Sequence, residues 1–242
     1  MKKCIHCLAL LKKKTKDHVF PSSWYPDSTP TNIQRWAVPS CEACNNRLGA
    51  MEKDLFVRLG LCVSPFTAEA SGISRRALES MGVGVTDVHE KERSHRTKLR
   101  NKILKDILPY QGDVGLLPGL GLHKNILPSK QKTILIPEKE LVQVSTKVIK
   151  GCEYILGKRV VESPNRVEVY FCKEEQIGFV TDLFEHLPEK YLGPGFQVSR
   201  GVSDDDSRIT LYRVVIWGSI KVYASIGSEE YFAMIKDLTK PL

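Results

Sequence analysis

The chain has 242 residues, 42% of them hydrophobic and 26% charged. That is enough apolar material for one large domain or two small ones, and it excludes collagen-like, low-complexity, coiled-coil and wholly disordered classes. The 36 Lys and Arg against 28 Asp and Glu give a net charge of +8, of which residues 1–100, with 17 basic and 10 acidic side chains, hold +7. Any polyanion-facing part therefore lies in the first hundred residues. No apolar run approaches 18 residues and no apolar segment follows the basic N-terminus, which argues against a membrane partner or secretion and for a reducing, cytoplasmic setting.

In chain order, residues 1–60 come first. Pro21, Pro26, Asp27, Pro30 and Pro39 interrupt them, so no long element fits before Cys41. From about Asn45 the apolar residues Leu48, Met51, Leu55 and Leu59 recur at spacings of three and four with charges between them, which predicts an amphipathic helix. Residues 61–131 read as a connector: the charge-rich stretch 89–106 predicts a basic helix or extended arm, and the Gly- and Pro-rich stretch 111–130 a linker. Residues 132–242 read as an α+β domain. Strands are predicted at 134–136, 166–172, 195–202, 208–217 and 219–226, and helices at 138–157, 174–187 and 228–238.

The chemistry-bearing residues cluster at the N-terminus. Cys4 and Cys7 form one CxxC pair and Cys41 and Cys44 another, separated by the 33 residues 8–40. Paired CxxC motifs in a reducing setting can place four thiolates around one Zn2+, at about 2.3 Å each. The plainer reading is four independent buried thiols. Cys62, Cys152 and Cys172 sit singly and read as small buried hydrophobes. Between the pairs lie the adjacent Asp17-His18, followed by Val-Phe-Pro, and then Asn32; Asn45 directly follows the second pair.

On these residues the segment from about 2 to 58 resembles the HNH endonucleases, a ββα-metal nuclease group. The resemblance implies two strands and a helix around one catalytic divalent ion, with a separate structural zinc on Cys4, Cys7, Cys41 and Cys44. It implies that Asp17 and Asn45 ligate the catalytic ion, that His18 is the general base, and that Asn32 braces the loop holding His18. Asn45 stands where the family name has its second His. The chemistry suits those residue types, because an imidazole can take a proton near neutral pH and oxygen ligands suit Mg2+ or Mn2+ better than zinc.

Other assignments follow from position. Glu52 lies seven residues after Asn45 on the same helix face, as a further ligand or as an ordinary exposed carboxylate. Lys12, Lys13, Lys14 and Lys16, together with Arg47 and Lys53, are candidates to contact phosphates, against the alternative of a solvated lysine loop. Asn32 serves equally as a turn residue entering a strand. His6 reads as an exposed knuckle residue or a substitute zinc ligand, and Trp24, Tyr25 and Trp36 as the scarce core of a small module.

Three functions stand in order: a DNA-cleaving metal-dependent nuclease, a non-catalytic zinc-dependent nucleic-acid-binding module, and a nuclease held off by its C-terminal domain until that domain meets a ligand or protein. Nothing in the residues chooses DNA over RNA. The balanced charge of residues 132–242 leaves a ligand, a protein or a second copy of the chain as partners there.

Overall fold

A computed structural model describes residues 2–238 except 12, 14, 87–88, 111, 113–116, 118–119, 122–125 and 172–183. Strands β1 (Thr15–His18) and β2 (Ala37–Ser40) pair antiparallel, with Asp17 opposite Val38 and His18 opposite Ala37. Helix α1 (Glu42–Gly60) follows at once. Its N-cap is Cys41, whose sulfur accepts from the Cys44 amide at 3.4 Å, so the second CxxC both starts the helix and presents its thiols.

Residues 61–131 are more than a tether. Helix α2 (Ile73–Ser80) packs on the end of α1, so closely that a Cβ on Gly60 would lie 3.1 Å from that of Ala77. The basic stretch forms helix α3 (Glu90–Lys105), and strand β3 (Ile107–Pro109) pairs with β4 (Lys132–Ile134). One buried side chain fastens these pieces: Arg58 of α1 donates to Asp54 at 2.8 Å, to Asp106 at 2.7 Å and to the Leu135 carbonyl at 2.5 Å.

Helix α4 (Glu138–Leu156) precedes strands β5 (Asn165–Tyr170), β6 (Glu189–Tyr191), β7 (Phe196–Val202), β8 (Thr210–Ile216) and β9 (Ile220–Ser228) and helix α5 (Glu229–Leu238). The five strands form one antiparallel sheet in the order β5-β9-β8-β7-β6. Alternation sends Phe196, Val198, Val214, Ile216, Ile220 and Val222 to one face, and all six join the main core. The fold class is therefore mixed α+β, as the sequence pattern indicates. The strand predicted at 134–136 is the end of β4, displaced two residues toward the N-terminus. Cys172 and most of the helix predicted over 174–187 lie outside the described residues.

The packing crosses both boundaries drawn at 60 and 131. Val19, Phe20, Trp24 and Tyr25 from the N-terminal segment share one core with α1, α4 and the sheet. The Phe20 and Phe196 rings lie 4.6 Å apart and the Trp24 and Trp217 indoles 5.3 Å apart, and Trp217 Nε1 donates to the Trp24 carbonyl at 2.6 Å. Truncating a fully buried indole in such a core costs about 3–5 kcal/mol. Helix α4 also lies against β1: a Cβ on Gly151 would sit 2.7 Å from Val19 Cγ2. Only glycine permits that approach, and it brings the polar side of α4 onto the Asp17 strand. On the sheet side α4 is held by Glu153, which accepts from Tyr212, Arg159 and Arg200.

Candidate functional site

The first knuckle is a tight turn in which the Cys4 carbonyl accepts from the Leu8 amide at 2.9 Å, and the second is the first turn of α1. Pairing of β1 with β2 doubles the chain back and brings the knuckles together. The four sulfurs of Cys4, Cys7, Cys41 and Cys44 all lie within 4.8 Å of one another, with Cys7 and Cys41 3.7 Å apart. Four thiolates bonded tetrahedrally at about 2.3 Å would have edges of about 3.8 Å, so the cluster fits a metal ion such as zinc. Its electrostatics also call for a cation. Burial raises the Cys4 thiol, but the backbone amides of Cys7, Cys41 and His6 outweigh it and bring it to about 6. Burial and the neighbouring Cys41 and Cys7 push Cys44 up. A divalent ion removes that conflict among crowded thiolates.

Beside this cluster lies a second, buried and made of charges. Asp17 is 4% exposed and Glu52 9% exposed. Asp17 Oδ2 lies 2.9 Å from His6 Nε2, and Asp17 Oδ1 lies 2.8 Å from the ammonium of Lys147 on α4. Lys147 also donates to Glu52 and, at 2.6 Å, to the His18 carbonyl. Burial raises both carboxyls. For Asp17 the His6 bond and the Lys147 charge outweigh burial and hold it below the usual carboxylate range, whereas for Glu52 burial, with the Asp17 charge added, outweighs Lys147 and the more weakly acting His6, and its pKa rises.

This arrangement does not fit Mg2+ or Mn2+. A divalent ion of that kind takes about six oxygen ligands and keeps several of them as water, whereas the space between Asp17 and Glu52 holds an ammonium whose three donors are all used. The pleat contributes to this geometry. Neighbouring side chains on a strand leave on opposite faces, so Asp17 points into the α4 contact while His18 turns the other way, on the side of exposed Lys16. Asp17 and His18 are adjacent in sequence and do not converge.

The remaining expected residues are placed as follows. His18 is half-buried, and its Nδ1 is buried with no hydrogen-bond partner among the described residues. Asn32 is exposed in the turn after Pro30, and no bond joins it to His18 among the described residues, so the turn reading accounts for it. Asn45 is half-buried on the first turn of α1, its amide donating to the Cys41 carbonyl at 3.0 Å. Arg47 donates to Gln143 at 2.5 Å, while Lys13, Lys16 and Lys53 are exposed. Lys12 and Lys14 lie outside the described residues. Trp24 and Tyr25 are core, as expected.

Two participants were missed by sequence reasoning. His6, expected exposed, has a side chain 5% exposed and bonded to Asp17. Lys147 lies 129 positions after His18, and its only local signal is its place one turn before Gly151 on the same helix face. Lys150 follows on that face and donates to the His6 carbonyl at 3.3 Å; burial lowers its pKa. No helix among the described residues is long and apolar enough to cross a membrane. Comparison with protein-family models, curated proteins and solved structures finds no match to this chain.

Proposed function

We propose that the chain is a zinc-stapled nucleic-acid phosphodiesterase of the HNH kind, with His18 accepting a proton from the water that attacks the scissile phosphorus. The observation that carries this reading is the order and placement of parts: thiol knuckle, β1 ending in His18, β2, thiol knuckle, and α1 opening with Asn45. A half-buried imidazole with no side-chain hydrogen bond to another described residue keeps its exposed edge able to take a proton from a water. Exposed Lys13 and Lys16 supply positive charge along the approach to it. No divalent ion is placed on Asp17, because Lys147 holds that position.

That same lysine favours a second reading, in which Asp17 is structural and the module binds nucleic acid without cutting it. One experiment separates the two. Zinc-loaded wild-type protein and His18→Ala are incubated with supercoiled plasmid in Mg2+, Mn2+ or no added divalent ion, and nicked product is measured. The proposal expects nicking by the wild type that falls about 100-fold or more in the variant, the usual contribution of a positioned base, with zinc content unchanged. Equal nicking by the two proteins removes His18 from the chemistry. No nicking in any condition, together with salt-sensitive DNA binding, favours the second reading over a nuclease that is active without a further ligand or protein.

A further inference from the structure

Helix α3 carries seven basic and two acidic side chains over its 16 residues, and the site described above uses none of them. At about 100° per residue, Lys91, Lys98 and Lys105 fall within about 40° of one another, and Arg93 and Arg100 make a second line about 160° round the helix from them. Exposed Ser94, Asn101 and Leu104, with half-buried Thr97 and the N-terminal Glu90, occupy the arc between the two lines, and Leu99 and Ile103 face the core on the other side. All five of these basic side chains are exposed, and none makes an ion pair among the described residues.

The other basic residues of α3 fix it in place. Arg96 bonds Glu92 and, at 2.8 Å, the Glu79 carbonyl; Lys102 bonds Asp54 at 2.7 Å; and buried Arg58 holds the C-cap residue Asp106. The helix is thus anchored on one side and presents between two basic rails on the other a crest that is polar and uncharged from Ser94 to Asn101 and ends on exposed Leu104.

We propose that α3 docks crest-first in the major groove of duplex DNA, the lysine rail meeting the phosphates of one strand and the arginine rail those of the other. A helix about 10–12 Å across fits a B-form major groove about 12 Å wide, whereas the deep, narrow major groove of A-form RNA does not admit it. Serine, threonine and asparagine on the crest carry the donors and acceptors that base edges require. Glu90 begins the same arc at the N-terminal end, so the docked part runs from Ser94 onward. This rests on the reading that the chain acts on nucleic acid and names the form it meets.

The test measures binding of full-length, zinc-loaded protein in buffer without added Mg2+, Mn2+ or chelator, with a labelled DNA duplex, a duplex RNA of the same sequence, heparin and phosphatidylserine vesicles as probes. Arg93→Gln/Lys98→Gln/Arg100→Gln should weaken DNA binding at least about tenfold at physiological salt and reduce the slope of log affinity against log salt by about 3. Ser94→Tyr/Asn101→Tyr changes no charge and should abolish duplex DNA binding while leaving heparin binding intact. Lys190→Gln/Lys221→Gln, on the distant sheet, should match the wild type. Helicity and zinc content check that each variant is folded.

The proposal is overturned by wild-type DNA affinity in the triple variant, by a harmless crest variant, by equal binding of duplex RNA, or by charge-dependent binding to vesicles but not DNA. Cleavage is not read here, so His18 can fail as a base while α3 binds DNA, and α3 can fail while His18 cuts.

Discussion

Lys147 has three donors and spends all of them inside the protein, on Asp17, Glu52 and the His18 carbonyl. Removing one partner of such a buried group leaves uncompensated charge and costs about 3–5 kcal/mol. Lys147→Met should therefore lower stability by that order in denaturant titration. Glu52 sets the pH dependence of the loss. Its folded pKa lies above the ordinary carboxylate value because burial outweighs Lys147, and without the lysine the same burial acts unopposed. Protonation of Glu52 then relieves the strain as pH falls, so the deficit of the variant should be smaller at mildly acidic than at alkaline pH; a deficit that grows on acidification contradicts this. In the wild type, millimolar Mg2+ or Mn2+ should leave the melting temperature unchanged, since a ligand that binds the native state raises it. A rise would show that the ammonium yields its place to an ion. The linear motif Asp17-His18 carried neither the pleat that parts its two side chains nor the distant lysine that closes over one of them.

At the scale of elements, α1 and α4 show what periodicity can and cannot report. The stripe Leu48, Met51, Leu55 and Leu59 predicted α1, and the stripe Leu141, Val144, Val148, Cys152 and Ile155 predicted α4 within one residue of its observed end. Each stripe named one buried face. Helix α4 has a second, where Lys147 and Gly151 meet β1, and a polar residue beside a glycine leaves no hydrophobic period to detect. The four-thiol frame was legible for the opposite reason: CxxC places two thiols within one turn, and the rest follows from β1 pairing with β2. Because Cys41 is both a member of the thiol cluster and the N-cap of α1, losing it should act on the helix as well as on any bound ion. The expected metal content is one zinc per chain in the wild type and none in Cys41→Ser, with reduced far-UV helicity and a lower melting temperature. Chelation of the wild type should reproduce the loss, and a variant that keeps its zinc would remove Cys41 from the ligand set.

For the molecule as a whole, charge and core divide the chain differently. The charge surplus sits in residues 1–100, which suggests a detachable nucleic-acid module. The core does not detach, because Val19, Phe20, Trp24, Tyr25, Leu55, Phe56 and Leu59 are all buried and share their packing with α4 and the sheet. A composition shift carries no information about where packing stops. The consequence is testable with a chain ending at residue 60. It keeps all four thiols, both strands and α1, but leaves those seven apolar side chains without their partners, a loss of about 1.5–3 kcal/mol for each one fully exposed. Against a total stability of about 5–15 kcal/mol for a whole domain, zinc binding alone has to supply the difference. The truncated chain should therefore take up zinc yet show a broad, non-cooperative melt and bind a hydrophobic dye, while the full chain melts in one sharp step. A sharp, reversible transition in the truncated chain would mean that the ββα unit folds alone, and that the contact placing Lys147 on Asp17 is an interface able to open.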